Sequence, residues 1–133
     1  MGKVLLIEDD EDNLFLFKTA LVGSFRNSDI LAFDNFKEAE ESFEQFRSEI
    51  ILIIADHKVQ LDTSDVFFDY VQKRNKKIPF IIVSASIPDS NDYLKKVRNS
   101  ELHCFWQKPV PIEEIEEYIK YILSEHSAGT HHF

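Results

Sequence analysis

The segment that most constrains this chain is Ile50-Ile51-Leu52-Ile53-Ile54-Ala55-Asp56. Its first six residues carry no polar side chain and are rich in β-branched isoleucine. Such a run leaves no wet face, which fits a strand covered on both sides, as in the middle of a parallel sheet. Burial cannot continue through Asp56, because an unpaired ionised carboxylate is costly to desolvate. Asp56 is therefore expected at the carboxyl end of its strand, the edge at which open α/β sheets bind their ligands. An aspartate in this position also reads as the start of a turn or the cap of a helix, and other parts of the chain bear on that choice.

The same design recurs. Val4-Leu5-Leu6-Ile7 ends in Glu8, Asp9 and Asp10, Phe80-Ile81-Ile82-Val83 ends in Ser84, and Phe105-Trp106-Gln107 ends in Lys108-Pro109. If these four strands lie parallel, their carboxyl ends gather Glu8, Asp9, Asp56, Ser84 and Lys108 along one edge. The result is a carboxylate cluster with one ammonium and one hydroxyl beside it.

Between the strands the apolar period changes from continuous to helical. The first strand is expected over 3–8, followed by a helix capped by Asp10 or Asp12, with Leu14, Phe17, Leu21 and Phe25 at helical spacing. A shorter edge strand over 29–33 precedes a second helix with Phe36, Ala39, Phe43 and Phe46 on one face, read as core. The third strand, 50–55, leads to a helix from about 63 or 64 to 73 that buries Phe67 and either Tyr70 or Val71. The fourth strand covers 78–84, a weak fourth helix about 90–99, the fifth strand 103–107 and the fifth helix about 112–125. The last eight residues, 126–133, have no period and are expected to be a disordered tail in which His126, His131 and His132 bind no metal.

Strict strand-helix alternation implies a doubly wound α/β architecture, (βα)5, with helices on both faces of a parallel sheet. Right-handed crossovers leave few topologies for five strands. The flavodoxin-like order 2-1-3-4-5 places strands one and three side by side, with the topological switch point next to Glu8, Asp9 and Asp56.

Composition sets outer bounds on function. At 133 residues the chain reads as one domain, with a core of ordinary size. A formal charge of −9 argues against nucleic acid as a direct partner, because phosphate backbones select basic surfaces. The single cysteine, Cys104, excludes an internal disulfide and reads as a small buried hydrophobe. No apolar run reaches transmembrane length and no leader pattern opens the chain, so a cytoplasmic protein is expected, with no membrane partner.

Carboxylates that face one another repel, so the edge should hold raised carboxyl pKa values or a cation. Oxygen-only ligands suit Mg²⁺, which commonly shares its shell with a phosphoryl group. Lys108 adds a fixed positive charge for developing oxyanions, Ser84 a hydroxyl donor, and one carboxylate can itself be the nucleophile. There is no glycine-rich phosphate loop among only three glycines, so nucleotide binding is unsupported.

Taken together, the Val4–Asp10 segment, the Asp56 strand, Phe80-Ile81-Ile82-Val83-Ser84-Ala85 and Lys108-Pro109 resemble the receiver domain of bacterial two-component response regulators, the CheY-like family. The resemblance spans 3–123 and makes 1–125 a receiver domain. It implies that Asp56 accepts a phosphoryl group from a sensor histidine kinase or histidine phosphotransfer protein. Asp9 and Asp56 would bind Mg²⁺ directly, Glu8 largely through water, and the backbone carbonyl of Lys58 would complete the shell. Ser84 would be the switch hydroxyl, Lys108 the ion-pair partner and Phe105 the aromatic switch.

The implied function is that of a stand-alone response regulator. It is not an enzyme beyond its own phosphoryl transfer and dephosphorylation. It signals to an unidentified downstream protein through the face of the fourth helix, fifth strand and fifth helix, and homodimerisation on phosphorylation is left open. The alternative is a pseudo-receiver that takes no phosphate and serves as a docking module. Such a module need not keep Glu8, Asp9, Asp56, Ser84 and Lys108 together.

The chain departs from the family after Asp56, where a Met-Pro pair and a later Asp-Gly are usual. Here the text is His57-Lys58-Val59-Gln60-Leu61-Asp62-Thr63-Ser64. The Lys58 ammonium could neutralise the acidic cluster, shield an acyl phosphate from water, or point into solvent.

Overall fold

The apolar runs that end at Ile7, Ala55 and Val83 become strands buried almost throughout, whereas the one at Phe105 and Trp106 is half-buried. The structure, a computed structural model, describes residues 2–85 and 103–131, with backbone alone over 126–131. Strands β1 (Lys3–Ile7), β2 (Ile30–Phe33), β3 (Ile50–Asp56), β6 (Phe80–Ser84) and β7 (Cys104–Gln107) form one parallel sheet in the order β2-β1-β3-β6-β7. Counted along the chain without the small hairpin of β4 (Lys58–Val59) and β5 (Asp62–Thr63), this is the expected order 2-1-3-4-5. Helices α1 (Glu11–Leu21), α2 (Phe36–Phe46), α3 (Ser64–Arg74) and α4 (Ile112–His131) cover it. The fold is flavodoxin-like α/β.

Side chains of successive strand residues point to opposite faces, so each run divides between two cores. Leu5, Ile7, Ile53, Ala55, Phe80 and Ile82 pack with Ala39 and Phe43 of α2 and with Phe67, Phe68 and Val71 of α3. Val4, Leu6, Leu52, Ile54, Ile81 and Val83 pack with Phe17, Ala20 and Leu21 of α1 and with Ile115 and Ile119 of α4. Phe67 and Val71 are both buried and Tyr70 only partly, which resolves the choice left by the helical spacing.

The caps explain where helices begin. Asp10 accepts from the backbone N–H groups of Asp12 (2.9 Å) and Asn13 (3.1 Å), so it, not Asp12, starts α1. Asn35 does the same for α2 through the N–H of Glu38 at 2.8 Å. A 3₁₀ turn over Asn27–Asp29 takes the first residue expected in the edge strand. The last helix runs to His131, through much of the stretch expected as a tail. The weak fourth helix expected about 90–99 lies outside the described residues.

Candidate functional site

Register, more than sequence, assembles the carboxyl edge. Ile7 pairs with Ala55 across β1 and β3, so Glu8 comes level with Asp56, the last residue of β3. Ser84 ends β6 opposite Gln107 of β7, and the backbone N–H of Lys108 donates to the Ser84 carbonyl at 2.8 Å. That bond carries the lysine one step past the sheet and back over it. Its ammonium donates to Asp56 Oδ2 at 2.8 Å and lies 3.4 Å from Glu8 Oε1. The Lys108–Pro109 peptide is cis.

Glu8, Asp9 and Asp56 each bring a carboxylate oxygen to within 4.8 Å of the others. Glu8 is 1% exposed and Asp56 9%, whereas Asp9 stands at the surface. Burial, and after it the neighbouring Asp56 carboxylate, push Glu8 up to about 7. Burial pulls the Lys108 ammonium down, but its hydrogen bond to Asp56 and the charges of Asp56 and Glu8 outweigh that and hold it raised. One ammonium thus pairs with two of the three carboxylates.

The residues fit a hard divalent cation on an observation of their own. Glu8 Oε1 is buried and accepts no hydrogen bond, although it lies in ion-pair range of Lys108. A buried carboxylate oxygen without a donor is costly, and a cation shared with Asp9 and Asp56 would satisfy it. Oxygen-only donors suit Mg²⁺ over softer metals.

The other expected residues fall as follows. Ser84 is buried at the end of β6, and Phe105 is half-buried in β7 level with Ile82, packed against the α2–α3 core. Lys58 is exposed on hairpin strand β4 and makes no ion pair with Glu8, Asp9 or Asp56 among the described residues. Burial raises the Cys104 thiol, as befits a packing residue.

Three residues near or behind the edge were not singled out from sequence. His57 is buried beside Asp56, with Nδ1 3.2 Å from Ser64 Oγ, while its carbonyl accepts from the Ser64 N–H at 2.8 Å. It ties the end of β3 to the start of α3, and burial lowers its pKa. Gln60 donates its backbone N–H to Asp9 Oδ2 at 2.7 Å. His103, buried at the opposite end of the sheet, accepts from the Phe80 N–H at 3.2 Å. A polar residue in an apolar stretch is a signal for His103, whereas nothing local marks Gln60. A cavity of about 480 Å³ also lies at that opposite end, between Ile50, Ile78, Tyr118 and Ile122. It lies away from Glu8, Asp9 and Asp56 and contains no group of carboxylates.

No protein-family model and no curated protein sequence matches this chain. Solved structures do match. The N-terminal domain of an uncharacterized protein from Wolinella succinogenes superposes with a TM-score of 0.80 at 21% identity, covering 97% of this chain and 99% of that one. A response regulator receiver domain protein from Clostridium thermocellum gives 0.78 at 18% identity, over 96% and 98%. CheY of Borrelia burgdorferi, solved as a CheX–CheY–BeF₃–Mg²⁺ complex, gives 0.73 at 14% identity, over 92% and 89%. Sheet order, carboxyl-edge architecture and these superpositions agree: the chain has the fold of response-regulator receiver domains, the CheY-like fold.

Proposed function

We propose that the chain is a phosphorylatable receiver domain acting in the cytoplasm. Asp56 accepts a phosphoryl group from a phosphohistidine of a sensor histidine kinase or histidine phosphotransfer protein. The observation that carries this reading is the meeting of Asp56, Glu8 and Asp9 at the topological switch point, with one ammonium, Lys108, paired to Asp56 and Glu8.

In the transfer, an Asp56 carboxylate oxygen attacks phosphorus, the P–N bond breaks, and the leaving imidazole keeps the bonding pair and takes up a proton. The product is an acyl phosphate, which water later hydrolyses to return the carboxylate and inorganic phosphate. Lys108, already held on Asp56, meets charge that develops on the phosphoryl oxygens. Glu8, Asp9, Asp56 and the backbone carbonyl of Lys58 would hold Mg²⁺, which when bound supplies positive charge against the phosphoryl group. The protein performs no other catalysis.

Phosphorylation adds a dianion where the edge is already negative, and the response is a shift between two arrangements. Ser84 turns its hydroxyl to the new phosphoryl oxygens and Phe105 moves into the space that opens. The changed surface includes β7 and α4, and a downstream protein reads it. The Borrelia relative, solved with Mg²⁺ and a second protein, supports cation binding and protein partnership as the kind of behaviour this fold carries.

The test is intact mass after incubation with a small acyl-phosphate donor, with and without Mg²⁺, on wild type and Asp56→Asn. One phosphoryl group added only with Mg²⁺, and only to wild type, is the expected result. No adduct, with no change in Trp106 emission on adding Mg²⁺, would reject the switch and leave a docking module.

A further inference from the structure

The two-residue turn of the β4–β5 hairpin holds its first residue, Gln60, at φ 58°. Among the described residues no other non-glycine has a positive φ. A left-handed conformation is costly for a residue with a Cβ, so it persists only where surrounding contacts fix it. Primed hairpin turns need it at this position and favour glycine or asparagine there. Glutamine has no such preference.

What the residue does instead is join three loops. Its backbone N–H reaches Asp9 Oδ2, 2.7 Å away in the loop after β1. Its side-chain Nε2 donates to the Asp34 carbonyl at 2.9 Å, in the loop after β2. The hairpin itself is rooted by Val59, buried in the same core as Phe67 and Phe43. Glycine would take the backbone angle freely but could not reach Asp34. The strained residue is therefore the one that can hold both ends.

The geometry points to this hairpin as a clasp that fixes Asp9 for a divalent cation, with Gln60 as its positioning residue. Asp9 is the exposed member of the carboxylate group and would otherwise sample several rotamers. The Gln60 N–H fixes one of its oxygens and leaves the other without a hydrogen bond from the described residues. The entropy lost on binding a cation is then lost in advance, during folding. The inference rests on the cation-binding reading of the acidic edge.

The experiment is calorimetric Mg²⁺ titration of the full chain as wild type, Q60A and Q60G, alongside thermal melting of each and the amide NMR spectrum of the apo protein. Loss of one side-chain anchor corresponds to a rise in the Mg²⁺ dissociation constant of about 3- to 10-fold in both variants. Q60G, freed of the left-handed penalty, should melt no lower than Q60A while still binding Mg²⁺ more weakly than wild type. A merely structural residue would move affinity and melting together. In the apo wild type, the Gln60 amide should be protected from exchange, and D9A, which removes the acceptor, should abolish that protection.

Variants that bind Mg²⁺ as tightly as wild type would overturn the clasp, as would an unprotected Gln60 amide. A wild type that itself binds no Mg²⁺ would overturn the cation reading and the clasp with it. The wild-type titration tells that failure from the first.

Discussion

Two buried carboxylate sites on the same sheet have been treated in opposite ways. At the edge strand, Asp29 is 3% exposed and is answered by two cations, Lys3 at 2.9 Å and Arg26 at 3.0 Å. Hydrogen bonds from Lys3 and then Arg26 hold its carboxyl below the ordinary range. At the carboxyl edge, Glu8 and Asp56 share Lys108, the one cation paired with the cluster among the described residues, Glu8 is pushed up to about 7, and one of its oxygens accepts no hydrogen bond. The first arrangement is complete and joins β1 to β2. The second is short of positive charge, with one buried carboxylate oxygen that accepts no hydrogen bond, and the proposed cation would supply what it lacks.

The contrast breaks most visibly if the shared cation is removed. Lys108→Ala should slow phosphoryl uptake from a small donor by about 10²-fold, read by intact mass against time. Without Mg²⁺ it should also lower stability by about 1–3 kcal/mol in urea titrations, because Asp56 loses its partner. Mg²⁺ should restore part of that loss by binding the folded state.

The complete site should respond with stability and nothing else. Asp29→Asn should lower the urea midpoint at pH 7 and leave Mg²⁺ affinity unchanged. Because Asp29 is depressed in the fold, its contribution is present above the ordinary value of 3.8 and fades as the pH falls below it. The gap between wild type and variant should therefore narrow on acidification. A gap that stayed constant down to pH 3 would show that the two ion pairs are not its source.

Glu8 should titrate in the other direction. Its folded pKa is raised from 4.5 to about 7, so its favourable contribution is full below 4.5 and is lost as the pH rises through about 7. Glu8→Gln should make the metal-free protein more stable than wild type at pH 8 but not at pH 4, by melting at both values. Saturating Mg²⁺ at pH 8 should reverse the order.

The smallest effect concerns Lys58. An exposed lysine without an ion pair to the cluster acts only through solvent-screened charge. Lys58→Asn should tighten Mg²⁺ by about twofold or less and leave the acyl-phosphate half-life nearly unchanged. A tenfold change in that half-life would mean that the ammonium shields the phosphoryl group.

How far the chain could be read in advance differs from place to place. Ile50–Ala55, Val4–Ile7 and Phe80–Val83 announced two-faced burial, because a short β-branched run without polar residues leaves no wet face and fits the middle of a parallel sheet. Capping was legible down to the residue type, but the choice of Asp10 over Asp12 needed the helix itself. The last helix runs to His131, past the 125 expected for it, since the sequence beyond 125 has no apolar period to mark a helix. Tyr70 against Val71 could not be separated at one residue's spacing.

At the edge, Glu8, Asp9, Asp56, Ser84 and Lys108 were all candidates, because each ends an apolar run. Gln60 was not, for its contribution is a backbone N–H that every residue but proline possesses. Asp29 was taken for the first residue of a strand, and its two cations come from a position 26 residues away and another three away. No local pattern reports such partners.

By itself, then, the sequence determined the parallel sheet, its cover on both faces and the kind of chemistry that collects at one end. Those features are local: apolar period, run length and the residue at each strand's close. Only the tertiary structure decided that Glu8 lies level with Asp56, that Lys108 turns back to 2.8 Å from it, and that a strained hairpin holds Asp9. Each of these depends on register and crossover between segments far apart in the chain, where one residue's slip would turn every side chain to the other face.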